Sequence, residues 1–521
     1  MRNVSKFLMI TAFLLTTWSC KQQNVELNDK TLTDIHVSPD ALTLQVGEAK
    51  SITAQPLPAN ATNVSFSWHS DNTGVAAVSA NGTVSGKTKG SATITVRSGN
   101  IEKAIPVTVN QPPFQITIGT TKYDIDTLAY EEISSDVKWL KFNIPEFVNG
   151  FNTFGKGLVV NMVEVDLSNA DNKLEVWVAK TSRQINREGP RAMSNRNKAE
   201  FDAIGRKIAA AVNGDFFLLS SGNSTGHAHI NSRPIGMEIV NGMLTQTNTI
   251  SSGMDPATWP HALLVRDDGL PDYGSVSFSG QVDAHGQAFP LKEVNGFAGV
   301  GELVFFNNRS NAHITDSAFA WSPHTSTMVS LSYPQGGWRV NDRMEFTVTG
   351  INDDIASAIG KNFNGEGAVL VGNGAASGST SKAFLSNLSI GDKVGVKMDV
   401  KLNNASISDK KLSAVGYQRV ILQGGVSINT WNEAHPRTAM GYSLNRRKVY
   451  LVVVDGRRAN YSAGATTGQL GDILKAFGAF TGFNFDGGGS STIAVNGEVK
   501  NTPSDGAERA VSNGLMVTTT K

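Results

Sequence analysis

Cysteine is almost missing from this chain: among 521 residues only Cys20 is one. No intrachain disulfide can form, so stability has to come from buried apolar surface. A charge imbalance is missing too, with 46 Lys and Arg against 45 Asp and Glu. That balance argues against a general nucleic-acid binder, which would carry a basic excess. The apolar run near the N-terminus, Phe7 to Leu15, is too short to span a bilayer permanently. Ser490 is not in a Gly-x-Ser-x-Gly elbow, and no His–Asp partner pattern supports serine-hydrolase chemistry. Glycine, by contrast, is plentiful. Its 52 residues are about 10 % of the chain against a typical ~7 %, which suits a loop-rich β protein.

The N-terminus accounts for the lone cysteine. Arg2 and Lys6 precede the apolar run, which leads to Thr16-Thr17-Trp18-Ser19-Cys20. A basic segment, a short apolar stretch and small residues before a break read as an export signal. With Cys20 at that break, the pattern resembles a bacterial lipoprotein signal; an ordinary secretory peptide is the alternative. The expectation is a signal peptide over 1–19, a lipidated Cys20 and a polar tether over 20–31. The protein would then sit in the bacterial envelope, held to a membrane through Cys20, in the periplasm or on the outer-membrane surface.

From 32 to 110, short alternating strands follow one another: Leu42/Leu44/Val46, Phe66/Trp68, Ala92/Ile94/Val96 and Ile105/Val107/Val109. Period-two alternation means that one face is buried. Asn81-Gly82, between Val78 and Val84, is a strong hairpin signal. Regular turns over this length predict an all-β sandwich. VSPDALTLQVGEAKSITAQPLPANAT and WHSDNTGVAAVSANGTVSGKTKGSATITV resemble the bacterial group 2 Ig-like domain. That resemblance implies a spacer or adhesion unit without chemistry.

Asn110-Gln111-Pro112-Pro113 reads as a stiff linker. The rest, 114–521, reads as a large α+β unit with mixed sheets, so the whole chain is multidomain. Strands are predicted over 158–167, 174–179, 208–212, 368–371, 449–454 and 483–485. A first helix is predicted from about Asn197, capped with Glu200 and carrying Phe201, Ile204 and Ile208 on one face. A second starts at Thr466 with Gln469 as capping partner, places Leu470, Ile473, Leu474 and Phe477 on one face, and ends near Gly482.

Four polar clusters end or interrupt these apolar segments. An apolar strand runs into Asn213-Gly214-Asp215, although Asn-Gly alone more often marks only a turn. Glu433-Ala434-His435-Pro436-Arg437-Thr438 offers a guanidinium suited to phosphate or carboxylate, or else a surface ion pair. A buried-type strand ends on Asp455-Gly456-Arg457. The fourth, Asp486-Gly487-Gly488-Gly489-Ser490-Ser491, combines a carboxylate, three bare-backbone residues and two hydroxyls. A triple glycine costs backbone entropy, and the usual reason for one is close approach to a ligand, with successive amides facing an anion.

Taken together and in order, AxxNGDFF, HPRTAMG, VVVDGRR…SAGATTGQLGDIL and NFDGGGSSTIAVNGEVKNTPSDGAERAVSNGL closely resemble the phosphodiester glycosidase family; GAVLVGNGAAS (367–377) also fits. The resemblance is densest from Glu433 onward and weakest over 251–350, where loops would shape substrate choice. It implies glycosidase-type hydrolysis of a sugar-1-phosphodiester, releasing the sugar from a phosphorylated glycan. On that reading the amides of Gly487, Gly488 and Gly489 and the Arg437 guanidinium hold phosphate oxygens. Ser490, Ser491 and Thr438 add hydrogen bonds, and Asn213, His435, Arg457 and Arg509 join the substrate site. Asp486 is the first choice for the carboxylate that stabilises an oxocarbenium-like state, then Asp455, then Asp215. A phosphate leaving group is weakly basic, so a general acid is dispensable. No cofactor is required; a divalent cation on Asp215, Asp455 or Asp486 is left open, as is one on His227-Ala228-His229. The rival expectation is a non-catalytic glycan-binding surface lipoprotein. Gly372-Asn373-Gly374-Ala375-Ala376-Ser377-Gly378 mimics a dinucleotide fingerprint but is followed by Ser-Thr-Ser rather than an amphipathic helix, so a tight turn is preferred.

Overall fold

The structure is a computed structural model. It describes residues 30–110, 114–150, 154–179, 187–217, 232–247, 261–296, 299–307, 326–352, 367–374 and 380–521. Cys20, His227 and His229 lie outside these residues. Contacts divide the chain into two units, Met1–Pro113 and Phe114–Lys521.

The described residues of the first unit, 30–110, are all β. Leu42–Gln45, Ile101–Asn110, Gly90–Ser98 and Ser67–Ser70 form a four-stranded sheet, and Ala49–Ser51, Thr83–Gly86 and Ala76–Val78 a three-stranded one. The alternation seen in the sequence is the burial pattern: Leu42, Leu44, Ala92, Ile94, Val96, Ile105, Val107 and Val109 share one core with Ile35, Ile52 and Val84. Val78 pairs with Val84 across the Asn81-Gly82 hairpin, where Gly82 takes a left-handed φ of 82°.

In the second unit, an eight-stranded sheet runs 126–134, 137–143, 159–166, 448–454, 437–442, 481–484, 419–423 and 426–427 in spatial order. A five-stranded sheet runs 173–178, 513–520, 206–213, 493–495 and 498–499. The two pack face to face around Val163, Met440, Leu451, Val453, Phe483, Val176, Val212, Ile493 and Leu515. A thirteen-stranded sheet closes around a separate core that includes Phe305, Phe346, Leu370 and Val396. Glu293–Val294 pairs in parallel with Leu303–Asn307 within it, so the α+β unit with mixed sheets is present, and strand predominates over helix.

The helices correct three expectations. The first, α1, covers Pro190–Ala203, starting earlier than Asn197. Pro190 pre-sets the first helical φ. The cap is tertiary rather than local: the Glu508 carboxylate accepts the Arg191 amide at 2.9 Å. Ile208 lies in the strand Arg206–Asn213, and Ile204 is exposed. The helix α2, Thr380–Ser386, follows the strand Ala368–Gly372, where no helix was expected. That strand is nonetheless antiparallel to both neighbours, so it is not a dinucleotide-binding βαβ unit. The helix α3, Thr467–Ala476, starts as expected, with Thr466 and Gln469 forming a reciprocal capping box. It ends well before Gly482; Gly478 takes φ 100° just past the last turn. Leu470, Ile473 and Leu474 pack on the second face of the eight-stranded sheet.

Candidate functional site

Four strand ends meet at one end of the sandwich. Arg437 pairs with Val454, and Ala439 pairs with Asn484, so the strands carrying Arg437, Asp455 and Asp486 are immediate neighbours. Asn213 brings in the facing sheet. Its Nδ2 donates to the Asp486 carbonyl at 2.8 Å, and its Oδ1 accepts from Thr438 Oγ1 at 2.7 Å and from the Thr492 amide at 3.1 Å. The Asp486 amide donates to the Gly214 carbonyl at 2.9 Å. All four polar clusters are thus stitched into one locus.

Within it, the expected roles separate. Asn213 and Thr438 are fully buried and bonded to each other; they hold the sheets together rather than face a substrate. Asp455 is likewise held by protein groups. Its carboxylate accepts from Asn501 Nδ2 at 3.1 Å, the Thr502 amide at 3.0 Å and Tyr461 Oη at 2.9 Å. Burial raises its pKa, with these bonds opposing the rise, and the group clamps the 501–502 loop. Arg437 is 2 % exposed. Its Nε and Nη2 donate to the carbonyls of Ala465 and Glu433 at 3.0 and 2.6 Å, and it lies 4.9 Å from the centre of the Trp431 ring. Burial lowers its pKa to about 10, so it stays charged but is committed to the protein.

The tri-glycine turn is a short 3₁₀ turn, Gly488–Ser490, and two of its three glycine amides are bonded within the protein. The Gly488 amide donates to the Pro436 carbonyl at 2.9 Å, and that of Gly487 bonds the Asp486 carboxylate. The glycines are needed for close approach of other protein groups. A β-carbon on Gly487 would come 2.8 Å from the Pro436 carbonyl, and one on Gly489 would collide with Arg509 and Asp505. Gly488 adopts φ 61° beneath the Arg457 guanidinium.

What remains at the turn is the Asp486 carboxylate, the exposed Arg457 guanidinium and the Arg509 guanidinium, which is paired with Asp505. Asp486 is 8 % exposed; burial raises its pKa to about 6, with Ser490, Arg509 and the Gly487 amide opposing the rise. Arg457 is exposed and takes φ 59°. Its Nη2 lies 3.3 Å from His435 Nδ1, and among the described residues it makes no ion pair. Arg509 is half exposed, bonds Asp505 at 2.6 Å and reaches Ser490 Oγ at 3.4 Å. The His435 Nε2 bonds Glu433 at 2.8 Å, and burial lowers its pKa. Ser491 Oγ is buried and, among the described residues, has no hydrogen-bond partner.

Asp215 lies behind Asp486. It is 1 % exposed, its Oδ2 accepts the Gly236 amide at 2.6 Å, and its pKa is raised to about 7, first by burial and then by the charges of Asp486 and Glu238. Asn513 spans this region, with Oδ1 accepting the Asp215 amide at 2.9 Å and Nδ2 donating to Glu238 at 2.7 Å. The sequence reading missed Asn513, Glu238, Trp431, Tyr461 and Asn501. Of these, only Asn501 and Asn513 lie within the 484–515 motif. Among the described residues no three His, Cys, Asp or Glu side chains form a metal-binding group.

Residues 345–518 match the family model described as Phosphodiester glycosidase. Residues 31–109 match that of the Bacterial Ig-like domain (group 2). Both resemblances read from the motifs are borne out. The phosphodiester glycosidase match is narrower than the motif reading, since Asn213 falls before it and is joined to the site by the fold. A protein of Burkholderia pseudomallei described as exported superposes with a TM-score of 0.54 at 15 % identity, over 78 % of this chain and 98 % of its own, and so shares the fold. The catalytic domain of zebrafish N-acetylglucosamine-1-phosphodiester alpha-N-acetylglucosaminidase, auto-inhibited by its pro-peptide, aligns at 14 % identity over 77 % of this chain and 89 % of its own, with a TM-score of 0.35. The SPbeta prophage-derived uncharacterized protein YomE of Bacillus subtilis (strain 168) is 39 % identical over 93 residues, which are 17 % of this chain and 14 % of that protein. The Ig-like match points to an envelope or extracellular setting.

Proposed function

We propose that the second unit hydrolyses a sugar-1-phosphodiester. The observation that carries this reading is a single arrangement: a nearly buried carboxylate, Asp486, sits at the base of a turn flanked by the accessible guanidinium groups of Arg457 and Arg509. A phosphodiester is an anion, and guanidinium groups recognise its oxygens. Arg457 and Arg509 therefore replace Arg437 as its receptors. The bond between the anomeric carbon and the phosphate oxygen breaks, and the electron pair leaves with the phosphate, which remains on the other alcohol. Asp486 in its ionised form stabilises the positive charge that builds on the sugar ring. Water adds its oxygen to the anomeric carbon and gives up a proton. Asp215, which shares the locus and holds its proton to higher pH, keeps a second negative charge away from Asp486 near neutrality.

The test is incubation of the purified protein with a panel of methyl sugar-1-phosphodiesters. Free sugar together with methyl phosphate supports the reaction. Saturable binding without release supports the glycan-binding alternative and excludes turnover. The proposed lipid anchor at Cys20 is tested separately: Cys20→Ser should move the protein from the membrane fraction to the soluble fraction, and unchanged membrane retention would reject it.

A further inference from the structure

A second feature lies beside this locus and takes no part in the mechanism. A cleft of about 660 Å³ is lined by His261, Tyr273, Tyr417, Gln418, Arg419 and Gln423, among others. That volume is within the ~300–1,000 Å³ of ordinary small-molecule sites.

Its lining is mixed in character. The His261 ring stacks on Tyr417 at 5.8 Å and 13°, and Tyr273 packs on Phe483 at 4.9 Å. Gln423 Nε2 donates to the Tyr273 hydroxyl at 3.1 Å, fixing an amide and a hydroxyl at the rim. Asp272, also in the lining, is neutralised by Arg266 at 2.8 Å. Arg419 is exposed and, among the described residues, makes no ion pair. Fixed rings, amides and hydroxyls with little net charge suit a ligand having both apolar faces and hydroxyl edges. A pyranose has both. An alkyl chain would leave these polar groups without partners, and a polyanion would find only one guanidinium here.

The cleft is also attached to the site. The Gln418 amide donates to the Asn484 carbonyl at 2.9 Å, and Asn484 Nδ2 returns a bond to Gln418 Oε1 at 2.5 Å. Asn484 ends the strand that leads to Asp486. Thr430, another lining residue, donates its amide to Thr467 Oγ1 at 3.0 Å and precedes Trp431, the ring beneath Arg437.

We propose that this cleft binds a neutral saccharide chain, as a subsite next to the Asp486 locus. If the hydrolytic reading holds, the chain belongs to the glycan that carries the phosphodiester; the binding itself does not depend on that reading. The experiment is calorimetric titration of the purified protein with neutral gluco-, galacto-, manno- and N-acetylglucosamine-configured trisaccharides. Arg419 and Gln423 are exposed, so Arg419→Ala and Gln423→Ala are expected to fold normally. At least one trisaccharide should bind, and the double variant should weaken it at least about tenfold. Failure of every trisaccharide to bind, or binding undiminished in the double variant, would overturn the subsite. Binding through Arg419 and Gln423 in a protein that hydrolyses no phosphodiester keeps the subsite and removes the proposed reaction. Hydrolysis without saccharide binding does the reverse.

Discussion

The Arg457 guanidinium lies over Gly488, with Nη1 3.1 Å from the point that a β-carbon on the glycine would occupy. Both residues hold left-handed backbone, φ 59° and 61°. Gly488→Ala therefore meets a steric and a conformational penalty together. It should cost about 1–2 kcal/mol and push Arg457 off the turn, which chemical denaturation and the Michaelis constant for an anionic substrate would report. Unchanged values for both would show that the contact has no consequence.

Two arginines of the same locus should behave in opposite ways. Arg437 is buried and bonded to two carbonyls, so Arg437→Ala should destabilise the fold by roughly 2–4 kcal/mol, since it leaves both acceptors unpaired. Arg457 is exposed and bonded only to His435 among the described residues. Its replacement by Ala should leave the melting temperature almost unchanged and raise KM for a phosphodiester at least about tenfold. Thermal melts and steady-state kinetics on the same two variants separate the roles.

Asp215 makes stability fall as pH rises. Its pKa is about 7 in the folded protein and ~3.9 when unfolded. Between those values the folded state keeps a proton that the unfolded state has lost. The folded state binds more protons there, so stability declines through this window and levels off above the folded value. Asp215→Asn removes that decline. Relative to wild type it should gain stability at about pH 8 and little or nothing at about pH 4. Parallel melting curves at both pH values would contradict this.

The Asp455 clamp predicts a cost of its own. Asp455→Asn places an amide donor against the Asn501 and Thr502 donors, so stability should drop by about 1–3 kcal/mol. Urea denaturation measures it, and an unperturbed midpoint would return Asp455 to the list of groups free for catalysis.

The strands of both units were legible because burial on one or both faces writes itself into the spacing of Val, Ile and Leu, as at Leu42/Leu44 and Val449 to Val454. The α3 cap was legible because Thr466 and Gln469 are local partners. The α1 start was not, because its capping carboxylate, Glu508, is 317 positions away from Arg191. The same distinction divides the site. Motif order found the four strand ends, yet it could not say that Thr438 faces Asn213 or that carbonyls occupy Arg437. The tri-glycine signal was read as an opening for a ligand, whereas it makes room for Pro436, Arg457 and Arg509. A bare backbone records that something comes close, without recording what.

The most direct measurement is release of free sugar from a methyl sugar-1-phosphodiester by wild type and by Asp486→Asn, followed across pH. With the Asp486 pKa at about 6, wild-type turnover should climb as pH passes that value, because the ionised form acts. Asp486→Asn should lose roughly 10²–10⁴ of kcat. Turnover by the variant at the wild-type rate, or a wild-type profile flat through that region, would contradict the assignment of Asp486 as the group that acts on the sugar.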